Sequence, residues 1–285
     1  MSSKTAAENQ LLTSSSLITI PKLTMKVHLL ATVRKEELLP ATTMVFKTLR
    51  TGFPTADVIV DLCGFNPECE HLDVKRACDD VGATSNMACL EGPHFAPEWI
   101  KSLLENESEP FWICDTDMVF FDSVEKWDFG DAPMAGRYVP QFFDKFTNCV
   151  TRARLHTCLI WMNPKRIKEE AGRYHSRFPS TPFNPKPDLI KPMFHPLLSP
   201  AGREVRTSYF YDVCGLLYHA IGGVSFTPEQ KNAFGHLNFG TISDLVAPAY
   251  PELQLRMRAF AIFENPNLLR GQWKEDDEFY YKNRA

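Results

Sequence analysis

Between residues 26 and 114 the chain alternates short runs rich in β-branched and other apolar residues with stretches whose apolar positions recur at helical spacing. Residues 26–33 (KVHLLATV), 56–63 (ADVIVDLC, ended by Gly64), 84–90 and 111–114 (FWIC) read as strands. Residues 36–50, closed by Gly52, and residues 68–81 and 97–105 read as helices. The last of these opens on Pro97, where a missing N–H is harmless. This alternation predicts an α/β fold with a mostly parallel sheet covered on both faces. Ligands bind such sheets beyond the carboxyl ends of the strands, so the residues to inspect are Thr32, Val33 and Arg34, then Asp61, then Asp115, Thr116 and Asp117.

The second half is less regular. Residues 132–139, 157–162 and 223–226 read as strands, 164–177 as a helix with a charged face, and 209–220 as a helix. Residues 178–200 hold seven prolines, too many for a helix or a central strand, and are expected to form a long ordered loop because Phe183, Met193, Phe194, Leu197 and Leu198 favour burial. The Ser/Thr-rich residues 1–24 read as a flexible extension, and residues 25–285 as a single domain.

The segment from Phe111 to Asp122 (FWICDTDMVFFD) carries the clearest chemistry. A buried strand delivers Asp115 and Asp117, one residue apart, to the edge where ligands bind, and a second apolar run follows at once. Two carboxylates at such a place are costly unless a cation or hydrogen-bond donors compensate them. A divalent metal facing a diphosphate does so, since oxygen ligands suit Mg²⁺ and Mn²⁺. The plainer alternative is a turn or helix-capping role.

With this motif the chain resembles the GT-A glycosyltransferases, nucleotide-sugar-dependent enzymes with a Rossmann-like, mostly parallel central sheet flanked by helices and a DxD metal motif. The resemblance implies a nucleotide-binding half over residues 25–130 and an acceptor-binding half over 131–285. It places Asp115 on the donor ribose or the metal, Asp117 on the metal, and Thr32, Arg34 and Asp61 around the base. Three later segments follow the motif order of the retaining glycogenin-like and lipopolysaccharide-galactosyltransferase-like branch. His156-Thr157-Cys158 through Asn163 is similar to a strand of pattern N-[SA]-G-x-x-x-x-N bordering the sugar, with His156 at the Asn position and Cys158 at the Gly position. Tyr211-Asp212 stands where the family has an acidic residue beside the sugar and acceptor, and Gly235-His236 is similar to the H-x-x-G segment that supplies a third metal ligand. The implied activity is transfer of a sugar from a nucleoside diphosphate, UDP above all, to a hydroxyl acceptor with Mn²⁺ or Mg²⁺, Asp212 acting as base or sugar-orienting group. A His ligand favours Mn²⁺. Each assignment has a plainer counterpart: His236 as a core histidine, Asp212 as a helix cap, His156 as a packing residue.

Composition narrows the partners. Lys plus Arg number 31 against 35 Asp plus Glu, a net charge of −4, which gives no global attraction to nucleic acid or an anionic bilayer. Locally, however, residues 145–177 hold eight basic residues (Lys145, Arg152, Arg154, Lys165, Arg166, Lys168, Arg173, Arg177) against Glu169 and Glu170. That run is either a solvated helix face or a site for an anionic acceptor: a nucleic acid with a hydroxylated base, a phospholipid headgroup or a charged glycan. The eight cysteines include no CxxC pair and read as reduced thiols of a cytoplasmic protein; Cys63, Cys69, His71, Cys78 and Cys89 are too widely spaced for a usual zinc cluster. No apolar run approaches the roughly 20 residues of a membrane-spanning helix. A sugar nucleotidyltransferase would show a Gly-rich loop after the first strand, where this chain has Ala31-Thr32-Val33-Arg34-Lys35. The reading from another class is a non-catalytic nucleotide- or glycan-binding module.

Overall fold

The computed structural model describes residues 24–32, 46–63, 71–88, 95–144, 149–177, 180–181, 185–198, 204–236, 265 and 269–282. Residues 1–23 of the extension expected over 1–24, the start of the helix expected at 36–50, Val33, Arg34, Lys145, Cys69 and Cys89 lie outside the described residues. Strands β1 (Lys26–Thr32), β2 (Asp57–Cys63), β3 (Thr84–Ala88) and β4 (Phe111–Cys114) run parallel, with β4 and β2 on either side of β1. Between them stand α1 (Leu49–Gly52), α2 (His71–Asp80) and α3 (Phe95–Asn106). The chain continues through β5 (Met118–Phe120), β6 (Met134–Val139), β7 (Phe142–Asp144), β8 (Cys149–Thr151), β9 (Arg154–Met162) and α4 (Pro164–Arg177). It then forms β10 (Met193–Leu198), β11 (Glu204–Tyr211), α5 (Gly215–Ile221), β12 (Val224–Ser225), α6 (Pro228–Lys231), β13 (Phe234–His236) and α7 (Gln272–Lys282).

The large sheet has seven strands in the order β12-β6-β9-β4-β1-β2-β3, and within it β9 alone runs against its neighbours. Its β3-β2-β1-β4 half has the strand order of the first half of a doubly wound sheet. Alternation along each strand explains the two cores. In β1 and β4, Val27, Leu29, Ala31, Trp112 and Cys114 face one core, while Phe111 and Ile113 face the other. All four residues of β4 are buried, so the uninterrupted apolar run FWIC marks a strand covered on both faces. Trp112 is fully buried in a ring cluster with Phe53, Trp127, Phe129 and Phe226 at centroid distances of 5.8–6.1 Å. Each such side chain contributes about 2–3 kcal/mol on burial.

Two elements differ from the sequence reading. The helix expected over 209–220 is the end of β11 followed by α5, with Cys214 in the left-handed conformation (φ 59°) at the junction. The Pro-rich stretch 178–200 is not wholly a loop: its end forms β10, paired antiparallel with β11. Pro196 is tolerated there because β10 is the edge of a four-stranded sheet, β10-β11-β8-β7. Among the described residues no helix is long and apolar enough to cross a membrane, and the six described cysteines are free thiols.

Candidate metal centre

Asp115 and Asp117 occupy the tight turn between β4 and β5. The Asp115 N–H donates to the Cys158 carbonyl of neighbouring β9 at 2.8 Å, which ties the turn to the sheet. From there β5 pairs antiparallel with β13, Met118 opposite His236, Val119 opposite Gly235 and Phe120 opposite Phe234. This register sets His236 beside Asp117 although 118 positions separate them in the chain. Its Nε2 lies 2.9 Å from Asp117 Oδ1 and 3.7 Å from Asp115 Oδ2. The ligand-capable atoms of the three residues lie within 4.8 Å of one another, and among the described residues they form the one such group of His, Cys, Asp and Glu. Donor atoms at about 2.1 Å from one divalent ion lie within roughly 4.2 Å of each other, and the separations of 2.9 and 3.7 Å from His236 Nε2 fall inside that span. Two carboxylates plus an imidazole are a donor set suited to Mn²⁺.

Electrostatics support the same reading. Asp117 and His236 are buried, whereas the Asp115 side chain keeps 46% of its surface. Surrounding protein and the neighbouring Asp117 charge push the Asp115 carboxyl up to about 7, against the pull of His236, and Asp212 adds to the rise. A cation would relieve that repulsion. The metal must displace the Asp115 proton below this midpoint, so Mn²⁺ affinity is expected to fall about tenfold per unit as pH drops below about 7 and to level off above it. Calorimetry across pH checks this. The linked sign for the metal-free fold is opposite: the native state keeps a proton that the unfolded chain releases near 4, so stability declines as pH rises from about 4 to about 7.

His156 belongs to the same site. Its Nδ1 accepts the Cys158 N–H at 3.1 Å, and its ring centroid lies 5.7 Å from that of His236. Burial first, then the Arg154, His236 and Arg137 charges, hold its pKa well below the ordinary range, so the ring is neutral with its proton on Nε2. Asp212 is held by Arg154 Nη2 on Oδ2 (2.9 Å) and by the Val213 N–H on Oδ1 (2.8 Å). Its side chain does not cap α5, whose N-cap is Cys214. Thr116 and Thr157 are half-buried, in the β4–β5 turn and in β9 respectively. Thr32 ends β1 opposite Cys63, at the carboxyl edge it shares with Asp115. Asp61 stands apart from this group, its carboxylate accepting from Trp99 Nε1 (2.6 Å) and Asn86 Nδ2 (3.2 Å).

The sequence reading missed what holds His236. The Gln272 amide makes a reciprocal pair with the His236 backbone, receiving its N–H at 3.0 Å and donating to its carbonyl at 2.8 Å. Trp273 Nε1 donates to the Phe234 carbonyl at 2.8 Å, so the start of α7 acts as a third rung beside β13. Gly235 is required for this approach, because a Cβ there would lie 2.7 Å from Leu269 Cβ. Farther along α7, Asp277 pairs with Arg137 Nη2 (3.1 Å) and Lys231 (2.6 Å), while the Arg137 guanidinium stacks 4.4 Å from the Trp273 ring. Gln272→Ala is expected to weaken Mn²⁺ binding about 10- to 100-fold, the usual effect of removing a group that orients a ligand. Metal titration checks it, and the conservative Gln272→Glu, which keeps an acceptor for the His236 N–H, should recover part of the loss.

No protein-family model and no curated protein matches the chain. Solved structures similar to it include the glycosyltransferase GlyE of Streptococcus pneumoniae, 11% identical over 59% of this chain and 41% of that one, with a TM-score of 0.36. A mannosyltransferase from Pyrobaculum calidifontis, in complex with GDP-Man and Mn²⁺, is 11% identical over 85% of this chain and 70% of its own, with a TM-score of 0.40. Mouse xyloside xylosyltransferase 1 is 9% identical over 54% of this chain and 71% of its own, with a TM-score of 0.37. The chain thus spans about two fifths of the length of GlyE. The chemistry is read from the site itself.

Proposed function

We propose that the chain is a metal-dependent glycosyltransferase that moves a sugar from a nucleoside diphosphate donor, UDP-linked by the motif resemblance, to a hydroxyl acceptor. The observation that carries this reading is the Asp115, Asp117 and His236 cluster at the carboxyl edge of a mostly parallel sheet, where nucleotides bind such folds. These three side chains would hold the metal, Mn²⁺ in preference to Mg²⁺. When bound, it supplies Lewis-acid neutralisation of the diphosphate leaving group. Thr32, Val33 and Arg34 would border the nucleotide, and Asp61 would steady the strand edge through Trp99 unless the base displaces that contact. Thr116 and Thr157 add hydroxyls beside the donor, and the neutral His156 presents Nε2–H as a donor for a sugar hydroxyl.

Asp212 is better suited to orienting the sugar than to abstracting a proton. Arg154 and the Val213 N–H already engage both of its oxygens, which holds the carboxylate in place and leaves neither oxygen free to meet an acceptor hydroxyl. A retaining course, in which the departing phosphate takes the proton, fits a carboxylate engaged in this way.

The test is calorimetric titration of a panel of nucleoside diphosphates and nucleotide sugars with and without Mn²⁺. The reading expects one nucleotide to bind in a Mn²⁺-dependent way and its sugar to be released slowly to water. Absence of nucleotide binding with and without metal would return the chain to the class of non-catalytic modules.

A further inference from the structure

The basic run at 145–177 separates into two groups in the structure. On α4, Lys165, Lys168, Arg173 and Arg177 are exposed, and Arg166 is paired with Asp131, Glu169 and Glu170, which makes that part a solvated helix face. Arg152 and Arg154 behave differently. They bracket the β8–β9 junction, and each has a buried nitrogen, Arg152 Nε and Arg154 Nη1, with no hydrogen-bond partner among the described residues. Arg154 is only 9% exposed, and its Nη2 is engaged by Asp212. The Arg152 guanidinium stacks 4.7 Å from the Tyr209 ring and 6.0 Å from the Tyr211 ring.

A guanidinium does not lose its proton, and a buried donor left without an acceptor is costly. Of the two, Arg154 is paired with a carboxylate, Asp212, whose second oxygen is already engaged by the Val213 N–H. The excess positive charge is felt nearby. The His219 ring, 5.3 Å from Tyr211, has a lowered pKa from burial and from Arg152. The cluster lies on a strand that reaches the Asp115, Asp117 and His236 group: Arg154 opens β9, two residues before His156, whose ring lies 5.7 Å from that of His236.

The geometry points to an oxyanion site formed by Arg152 and Arg154 and walled by Tyr209 and Tyr211, which takes the phosphate or carboxylate group of an acidic acceptor. This rests on the reading of the chain as a glycosyltransferase, and it restricts the acceptor to a sugar or glycan carrying a negative charge. The donor diphosphate would face the divalent ion that Asp115, Asp117 and His236 would hold. The arginine pair is left to serve a second anion. A planar guanidinium suits both phosphate and carboxylate through paired N–H donors.

The test has two arms. In the first, inorganic phosphate and glucuronate are titrated into metal-free protein with a chelator present. Phosphate, glucuronate or both should bind saturably to the wild type and to Asp117→Asn, and about tenfold or more weaker to Arg152→Gln. Arg152→Gln is preferred to Arg154→Gln because Arg154 is more deeply buried and its loss leaves Asp212 unpaired. Absence of saturable binding of both anions, or equal loss in Asp117→Asn, would overturn the proposal. In the second arm, once a donor is known, matched acceptors are compared: a neutral sugar, its phosphate and its uronic acid. A charged acceptor should have a KM at least about tenfold below the neutral one, and Arg152→Gln should remove that advantage. Equal use of the neutral sugar, or a donor Kd raised by Arg152→Gln as much as the acceptor KM, would contradict it. Failure of every nucleotide to bind would instead count against the glycosyltransferase reading, with the first arm still deciding the anion site.

Discussion

Asp117→Asn is expected to abolish Mn²⁺ binding at the Asp115 and His236 centre and to lower sugar transfer by at least about 100-fold. The substitution keeps the shape of the side chain and removes its charge. Asp117 is 8% exposed, and Oδ1 lies 2.9 Å from His236 Nε2, so the amide oxygen still accepts that contact and the turn between β4 and β5 keeps its form. What disappears is the buried anion that a divalent ion needs. Removing it also takes away the neighbouring negative charge that raises the Asp115 carboxyl, so the Asp115 midpoint should fall below 7. Metal titration, transfer rate and the pH midpoint together distinguish this from unfolding, which would remove all three with the folded signal. Transfer within a few-fold of wild type would remove Asp117 from the machinery.

The largest loss of stability is expected from Trp112→Ala, about 3–5 kcal/mol, a large share of the 5–15 kcal/mol usual for a domain. Trp112 is fully buried in β4, three residues before Asp115, and touches four aromatic rings of the core. Its indole N–H is buried with no hydrogen-bond partner among the described residues, so Trp112→Phe deletes a donor that contributes no bond. That variant should cost well under half as much, the remaining loss coming from the smaller ring. Urea unfolding of the two variants checks both values. Equal losses would mean that the indole nitrogen is engaged after all.

What the sequence disclosed and what it hid follow from contact range. The strands of the first half were legible because each alternates or runs apolar over four or more residues, and FWICDTD showed a carboxylate pair at a strand end without any tertiary information. The four-stranded sheet was not legible. Its β10 lies in a Pro-rich stretch that is acceptable only at an edge, and Tyr209–Tyr211 continues into the apolar residues of α5, so the two ran together as one helix. β13 has three residues, too few for periodicity, and His236 came forward only through motif order. Gln272, Trp273 and Asp277 left no local signal, since their partners His236, Phe234 and Arg137 are 36, 39 and 140 residues away. Arg152 and Arg154 were visible as part of a charge run. Only the fold separates them from the helix-face lysines and arginines that follow.

Asp115 and Asp117 in the β4–β5 turn and His236 at the end of β13 carry the proposed chemistry. Electron paramagnetic resonance of Mn²⁺ added to the full chain reads the bound ion directly, including the nitrogen coupling of an imidazole ligand. The expected result is one bound Mn²⁺ with a single imidazole coupling, lost in His236→Ala, and binding abolished in Asp117→Asn. Mn²⁺ that binds without nitrogen coupling, or that binds equally well to both variants, would contradict a metal centre built from Asp115, Asp117 and His236.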